Sequence, residues 1–365
     1  MCFVDRISES LIHNIISDLK DGKSDVEFNW GSEAIKHGVD SLSSHFTVLF
    51  KALLIHGHIP QLFSFCKLVP LVKGNKSKLS SDNYRLIAIS SLILKILDHI
   101  ILSLFSDNFI SPFLQFGFQK GLSTTMCTWG VLETINYFTS RGGSAYVCFL
   151  DLTKAFDHVK HDILFKKLSK KVPAIFLRLV LVIYMCQSCS VRWENFDSTI
   201  FTVGNGLRQG AVASPLYFNV YLDDLFLIMK ESGLGCEIDQ YFYGLFGYAD
   251  DCALLSPSRE GLQLMLNLCA NYFAEHGIKI SVDVILEKSK TKCMAFNSPV
   301  IPIMLSLYNL VLPWVRSAIH LGHQITTDED TSADILSSKA IFITKAHELR
   351  QELGDQNPEV FIRLV

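Results

Sequence analysis

Ten residues from Phe246 to Leu255, FGYADDCALL, constrain this chain more than any others. Two adjacent carboxylates, Asp250 and Asp251, interrupt a run whose flanks are apolar enough for the two strands of a buried hairpin. Tyr-Ala-Asp-Asp is then the tight turn, a place where Asp tolerates unusual backbone angles. Like charges at the tip of a buried hairpin are costly unless something positive holds them. By themselves the ten residues fit an ordinary solvated turn equally well.

The rest of the chain narrows the choice. At 365 residues it is long enough for two or three subdomains sharing a core. Its most apolar runs are broken by charge: Leu86 to Phe105 by Lys95, Asp98 and His99, and Val172 to Cys186 by Arg178. They read as buried core helices rather than membrane spans. The opening MCFVDRISES has no basic region followed by an apolar one, so no secretory signal is expected. Ten Cys are scattered singly apart from Cys186 and Cys189. Without a second pair at a set spacing they read as reduced core residues, not a zinc site. An intracellular protein of nucleus or cytoplasm is therefore expected. Net charge is only −3, yet Lys51 to Lys95 holds seven basic residues and one acid. Such clustering suits a phosphate partner, although Lys76 and Lys78 also fit a solvated basic loop.

Residues 1–50 read as amphipathic helix, loop and helix, with Leu11, Ile15, Ile16 and Leu19 on one face. A short strand leads to Lys73 and a second extended piece carries Arg85, after which Ser90 or Ser91 caps a helix to about Phe105. Two cations flanking a loop suit a triphosphate. Ser123 opens a helix to about Thr139, and SAYVCFLDL is a strand apolar on both faces, ending at Asp151. Asp157 is expected to cap the next helix, and two helical segments pass to about Cys189. A hairpin turns near Asn195, the loop GLRQGAVASP follows, and Ser214-Pro215 starts a helix to about Lys230. Asp223 and Asp224 are placed on its polar side without a chemical role. A helix over Arg259–His276, the strand GIKISV, the basic KSKTKCMAF and a strand pair in LPWVRSAIHLGHQIT come next. Two amphipathic helices are expected from about Ser332.

Three acids end or turn buried strands: Asp151, Asp250 and Asp251. The order strand, helix, hairpin, helix, strand is a split βαβ pattern, which brings them to one sheet edge. Three carboxylates there suit two hard divalent cations, and such a pair supports in-line displacement at phosphorus. Phosphoryl or nucleotidyl transfer follows from the residues alone.

From roughly residue 15 onward the chain resembles the reverse transcriptases of non-LTR (LINE-type) retrotransposons. The blocks LVPLVKGNK, NYRLIAISS, QFGFQKGLSTT, FLDLTKAFDHV, NGLRQGAVASPLYFNVYLDDL, GYADD, KSKTKCMAF and HLGHQIT occur in the family's order. The resemblance implies an α+β right-hand polymerase fold whose palm is a split βαβ, ferredoxin-like antiparallel sheet, with helical fingers and a partial helical thumb. Residues 1–50 would be an N-terminal helical extension, 51–326 fingers and palm, and 327–365 truncated thumb-like helices. It implies an RNA-directed DNA polymerase acting on an RNA template, a DNA primer or target and deoxynucleoside triphosphates, with no membrane partner. Two Mg²⁺ ions, with Mn²⁺ as a substitute, would be held by Asp151, Asp250, Asp251 and the backbone of Leu152. Phe156 would lie under the incoming sugar and collide with a 2′-OH. Lys73 and Arg85 would hold the triphosphate, Gln209 and Gly210 would line the templating base pair, and Lys290 would donate a proton to pyrophosphate. The HLG strand pair would hold the primer's 3′ end. Gln119, Ala211 and Leu86 depart from the family's commoner Arg, Gly and Pro. An endonuclease and Cys/His elements are not found in these 365 residues, so a fragment of a longer reading frame is expected. A non-catalytic nucleic-acid-binding remnant has the same acids and stays open; a nucleotide cyclase lacks its paired-glycine acidic turn here.

Overall fold

In the computed structural model, residues 3–26, 30–74, 77–298, 304–328 and 344 are described. Helices and strands are mixed throughout and gather into two compact units. One comprises Met1–Lys120, Leu152–Ile228 and Asn271–Lys279; the other comprises Gly121–Asp151, Met229–Ala270 and Ile280–Val365.

The first unit is built on helices around a small sheet. Glu9–Ser17 buries Ile12, Ile15 and Ile16, and Ser8 accepts from the Leu11 N–H at its start. Ile12 joins the expected Ile15, Ile16 and Leu19 among the buried residues, while Leu11 is only half-covered. The helix Leu92–Phe105 is apolar almost all round and correspondingly buried. Its cap is Ser91, whose Oγ accepts from Ile93 N at 3.2 Å, while Asp25 Oδ2 takes the Leu92 N–H at 2.7 Å. Strand Phe65–Val72 pairs antiparallel with Tyr84–Ser90 and parallel with Ser188–Trp193. The hairpin turn falls at Glu194–Asn195, between paired Trp193 and Phe196. The expected helix through Cys189 stops at Met185, because residues 188–191 join the sheet beside residues 65–68. Sheet pairing overrides local helix preference there.

The second unit holds a four-stranded antiparallel sheet in the order Leu245–Tyr248, Asp251–Ser256, Ala145–Leu150, Lys292–Phe296. The first of these in the chain, Ala145–Leu150, lies beside the hairpin, as the split βαβ pattern requires. Its side chains are buried on both faces except at Tyr146, which is half-covered. The helix Thr124–Thr139, capped by Ser123, packs on this sheet. Close approach depends on Gly130: a Cβ there would lie 2.8 Å from Cε1 of buried Phe246. Ser317–His320 and His323–Thr326 form the expected strand pair, turning at Leu321 and Gly322, both with positive φ. The stretch expected to hold two terminal helices lies outside the described residues, Thr344 apart. Among the described residues no helix is long and apolar enough to cross a membrane.

Candidate active site

The acids sit at one end of the four-stranded sheet. Tyr248 pairs with Asp251, leaving Ala249 and Asp250 as a two-residue turn. The unusual backbone angle falls on Ala249, φ +58°, and not on an aspartate as the sequence led us to expect. A side chain at positive φ is strained, so the sheet and packing around buried Ala249 must hold it. Cys252 pairs with Leu150 in the next ladder. One step further in the same register, Asp251 comes opposite Asp151.

Asp151 is anchored through its main chain. Its N–H reaches Thr291 Oγ1 at 3.3 Å and its carbonyl accepts from Ser281 N at 2.7 Å. Lys290 Nζ lies 3.3 Å from Asp151 Oδ2, supplying the positive partner that a carboxylate at this place requires. Lys290 lines a concavity of about 300 Å³ together with Phe149, Lys288 and Lys292. The charge also reaches the packed helix: burial first, then Asp251, pushes the Cys127 thiol up to about 12. Among the described residues no three His, Cys, Asp or Glu side chains converge as a ready-made metal cage. The donor set nevertheless fits a hard cation, being three carboxylates from one sheet end with no sulfur or imidazole among them.

The other expected residues belong to the first unit. Leu152 is buried. Lys73 donates its backbone N–H to Asn83 O at 2.8 Å, continuing the ladder that pairs Leu71 with Arg85. Lys73 and Arg85 therefore project from one face as diagonal neighbours, roughly 7–8 Å apart. Phe156 is half-buried in a short 3-10 helix, Ala155–His158, and stacks on fully buried Phe218 at 4.5 Å between ring centroids and 12° between planes. Its carbonyl accepts from Leu207 N at 2.8 Å. Gln209 then docks on the outer edge of strand Tyr84–Ser90, its carbonyl taking the Ala88 N–H at 2.7 Å. Gly210 follows at φ +107°, where a Cβ would stand 3.1 Å from Ala88 O. Asp157 is not a helix cap, because Lys160 occupies that position without a side-chain bond. Asp157 Oδ1 instead accepts from Gln209 Nε2 at 3.1 Å.

Sequence reading passed over two buried polar groups behind this loop. Arg208 is 5% exposed, lies over the Tyr184 ring at 5.3 Å and leaves Nε and Nη1 without hydrogen bonds. Asp98, also 5% exposed, accepts from Ala213 N at 3.3 Å. Burial pushes its carboxyl up, while Arg208 and the loop N–H groups pull it down. Its spacing from Leu94, Ile101 and Phe105 on an apolar helix face was the available signal. Asp223 and Asp224 lie on the less buried side of their helix, as expected, and are ion-paired there with Lys171 and Lys167. Asp224 accepts from Lys167 and from Tyr272, and Lys167 also meets His276 at 3.0 Å. Burial pushes Asp223 up to about 6.

Residues 73–325 match the reverse transcriptase (RNA-dependent DNA polymerase) family, and the chain belongs to it. Its curated relatives come from mobile elements. The chain is 25% identical over 239 residues to a Pol polyprotein from a type-2 retrotransposable element of Drosophila melanogaster, covering 64% of this chain and 22% of that protein. It is 25% identical over 259 residues to the RNA-directed DNA polymerase from mobile element jockey of Drosophila funebris, covering 70% and 28%. With a probable RNA-directed DNA polymerase from transposon BS of Drosophila melanogaster it shares 26% over 304 residues, covering 78% and 32%. The chain thus spans no more than about a third of the length of these relatives.

Proposed function

We propose that this chain is the polymerase portion of a non-LTR retrotransposon reverse transcriptase, extending a primer 3′-hydroxyl on an RNA template with deoxynucleoside triphosphates. The observation that carries the reading is the register that ends with Leu150 opposite Cys252, which brings the next residues, Asp151 and Asp251, to one end of the sheet with Asp250 in the adjoining turn, within a chain of this family. On this reading the four-stranded sheet is the palm of a right-hand polymerase. Residues 1–50 lead into fingers, 51–326 form fingers and palm, and 327–365 begin a thumb.

Asp151, Asp250, Asp251 and the Leu152 carbonyl would hold two Mg²⁺ ions, with Mn²⁺ able to replace them. Bound there, the ions supply activation of the attacking hydroxyl and charge neutralisation on the leaving pyrophosphate. The protein's own residues do the rest. Lys73 and Arg85, on one face of their hairpin, bind triphosphate oxygens through charge-assisted bonds. Phe156, backed by Phe218, excludes a 2′-hydroxyl. Gln209 and Gly210 bound the templating base pair from the loop pinned to Ala88. Lys290 sits 3.3 Å from an acid and carries the proton that leaves with pyrophosphate. RNA template and DNA primer or target are the partners.

Primer extension on an RNA template with Mg²⁺ and deoxynucleotides tests the reading. Wild type should extend and Asp250→Ala should not. A folded wild-type protein that binds RNA and never extends a primer would leave the non-catalytic remnant as the correct description.

A further inference from the structure

Two strands of the first unit place a pair of cysteines in direct contact, far from the acids in sequence and without a part in the proposed chemistry. Cys66, on Phe65–Val72, is in register with Cys189 on the parallel neighbour Ser188–Trp193. The two sulfurs are 2.7 Å apart, neither residue is exposed, and Ala88, Leu68 and Val203 surround them. Neighbouring strands run about 4.8 Å apart, inside the roughly 4.4–6.8 Å range of Cα separations that a disulfide spans. That spacing is compatible with a bond between them. Two polar groups serve the sulfurs. Gln187 Nε2 reaches Cys189 at 3.6 Å and Cys66 at 3.8 Å, and the Arg208 cation stands near both. The Cys66 thiol, donating to Cys189, holds the latter down at about 7, with Gln187 and Arg208 adding to the effect; the same contact pushes Cys66 up. One sulfur is thus set up as thiolate and the other as resolving thiol.

We propose that Cys66 and Cys189 are a reversible redox pair, a dithiol that a peroxide closes to a disulfide stapling these two parallel strands. Hydrogen peroxide, uncharged and small, is the oxidant. The Cys189 thiolate attacks one peroxide oxygen, the O–O bond breaks, and the departing hydroxide becomes water with the proton Cys189 had released. The Cys66 sulfur then attacks the Cys189 sulfenic acid: the S–S bond forms, the S–O bond breaks, and hydroxide leaves as a second water with the Cys66 proton. Two electrons pass from the thiols to the peroxide. Reduction by a dithiol reverses the change by exchange through a mixed disulfide.

The experiment uses the folded full chain, treated with hydrogen peroxide, alkylated and digested without reductant. A peptide joining Cys66 to Cys189, lost on dithiothreitol treatment and absent from Cys66→Ala and Cys189→Ala, is the expected result. Thermal unfolding of the same samples provides a second readout. The oxidised wild type should melt higher than the reduced protein, and the difference should vanish in Cys66→Ala. Recovery of both residues as free thiols or sulfinic acids without the cross-link would overturn the proposal. So would a cross-link of Cys189 to exposed Cys186 in its place. Neither readout depends on polymerase activity, so failure here and failure of primer extension are separate outcomes.

Discussion

Removing Asp98 should be among the most damaging single changes in the first unit. The carboxylate lies inside an apolar helix, 5% exposed, beside an arginine that is equally buried. Asp98→Ala removes a carboxylate that stabilises the Arg208 cation and leaves the Ala213 N–H without its acceptor. The two charges act on each other without a direct ion-pair contact, so removing one should cost less than the about 3–5 kcal/mol of a broken buried pair, yet still a noticeable share of the roughly 5–15 kcal/mol that holds a typical protein folded. Arg208→Met should cost a comparable amount, because it strands the acid instead. The double variant Asp98→Leu/Arg208→Met buries no charge, and only the loop N–H remains unsatisfied, at about 1–3 kcal/mol. Guanidinium unfolding of the four proteins measures the cycle, read where the transition is two-state. The double variant should lose much less than the sum of the single losses. Additive losses would show that the two groups do not compensate each other and would refute the reasoning. The same pair lies behind the loop presenting Gln209 and Gly210, so the single variants should also extend primers poorly at temperatures where they remain folded.

Phe156→Ala should admit ribonucleotides, measured as a rise in ribonucleotide incorporation relative to deoxynucleotides; unchanged sugar selectivity would remove Phe156 from the gate. Gly130→Ala drives a methyl to within 2.8 Å of the Phe246 ring. The overpacking cost of about 1–3 kcal/mol exceeds the roughly 1 kcal/mol of helix propensity gained, so denaturant midpoints should fall. His320, 4% exposed and packed against Phe149 with ring centroids 4.7 Å apart, is held down at about 4 by burial and by His323. The unfolded chain binds that proton near pH 6.5, so its contribution is intact above 6.5 and is lost as pH falls toward 4, by at most about 3 kcal/mol. His320→Phe should flatten stability across that window, and an unaltered pH profile would count against the assignment.

Local rules carried much of the fold. Ser91 and Ser123 cap the helices whose starts they mark, and the Asp-Asp turn lies between the strands its apolar flanks require. Chain order was enough to put Ala145–Leu150 beside that hairpin, because a split βαβ sequence has few other ways to close. Tertiary partners decided what went unread. Residues 188–191 are strand because residues 65–68 lie beside them, and Asp157 leaves its expected capping place for Gln209, 52 residues away. Arg208 and Asp98 looked like ordinary charges until the fold buried both. Strain at Ala249 was hidden for a similar reason: alanine carries no turn signal, and only the register of its two strands forces the positive φ.

That register has a consequence for how the protein comes into being. Leu150 and Cys252, the last paired residues before the acids, are about a hundred positions apart in the chain. The ladder that aligns Asp151 with Asp251 is therefore a contact of high sequence separation, closed late and slowly relative to the helices around it. During synthesis, Asp151 emerges long before its partner strand exists, and the outer strand at Lys292–Phe296 later still. A nascent chain interrupted anywhere before Ser256 has local structure and caps in place and no aligned acids at all. Competence in such a protein is acquired in one step, once both strands of the hairpin exist, and is not accumulated along the chain.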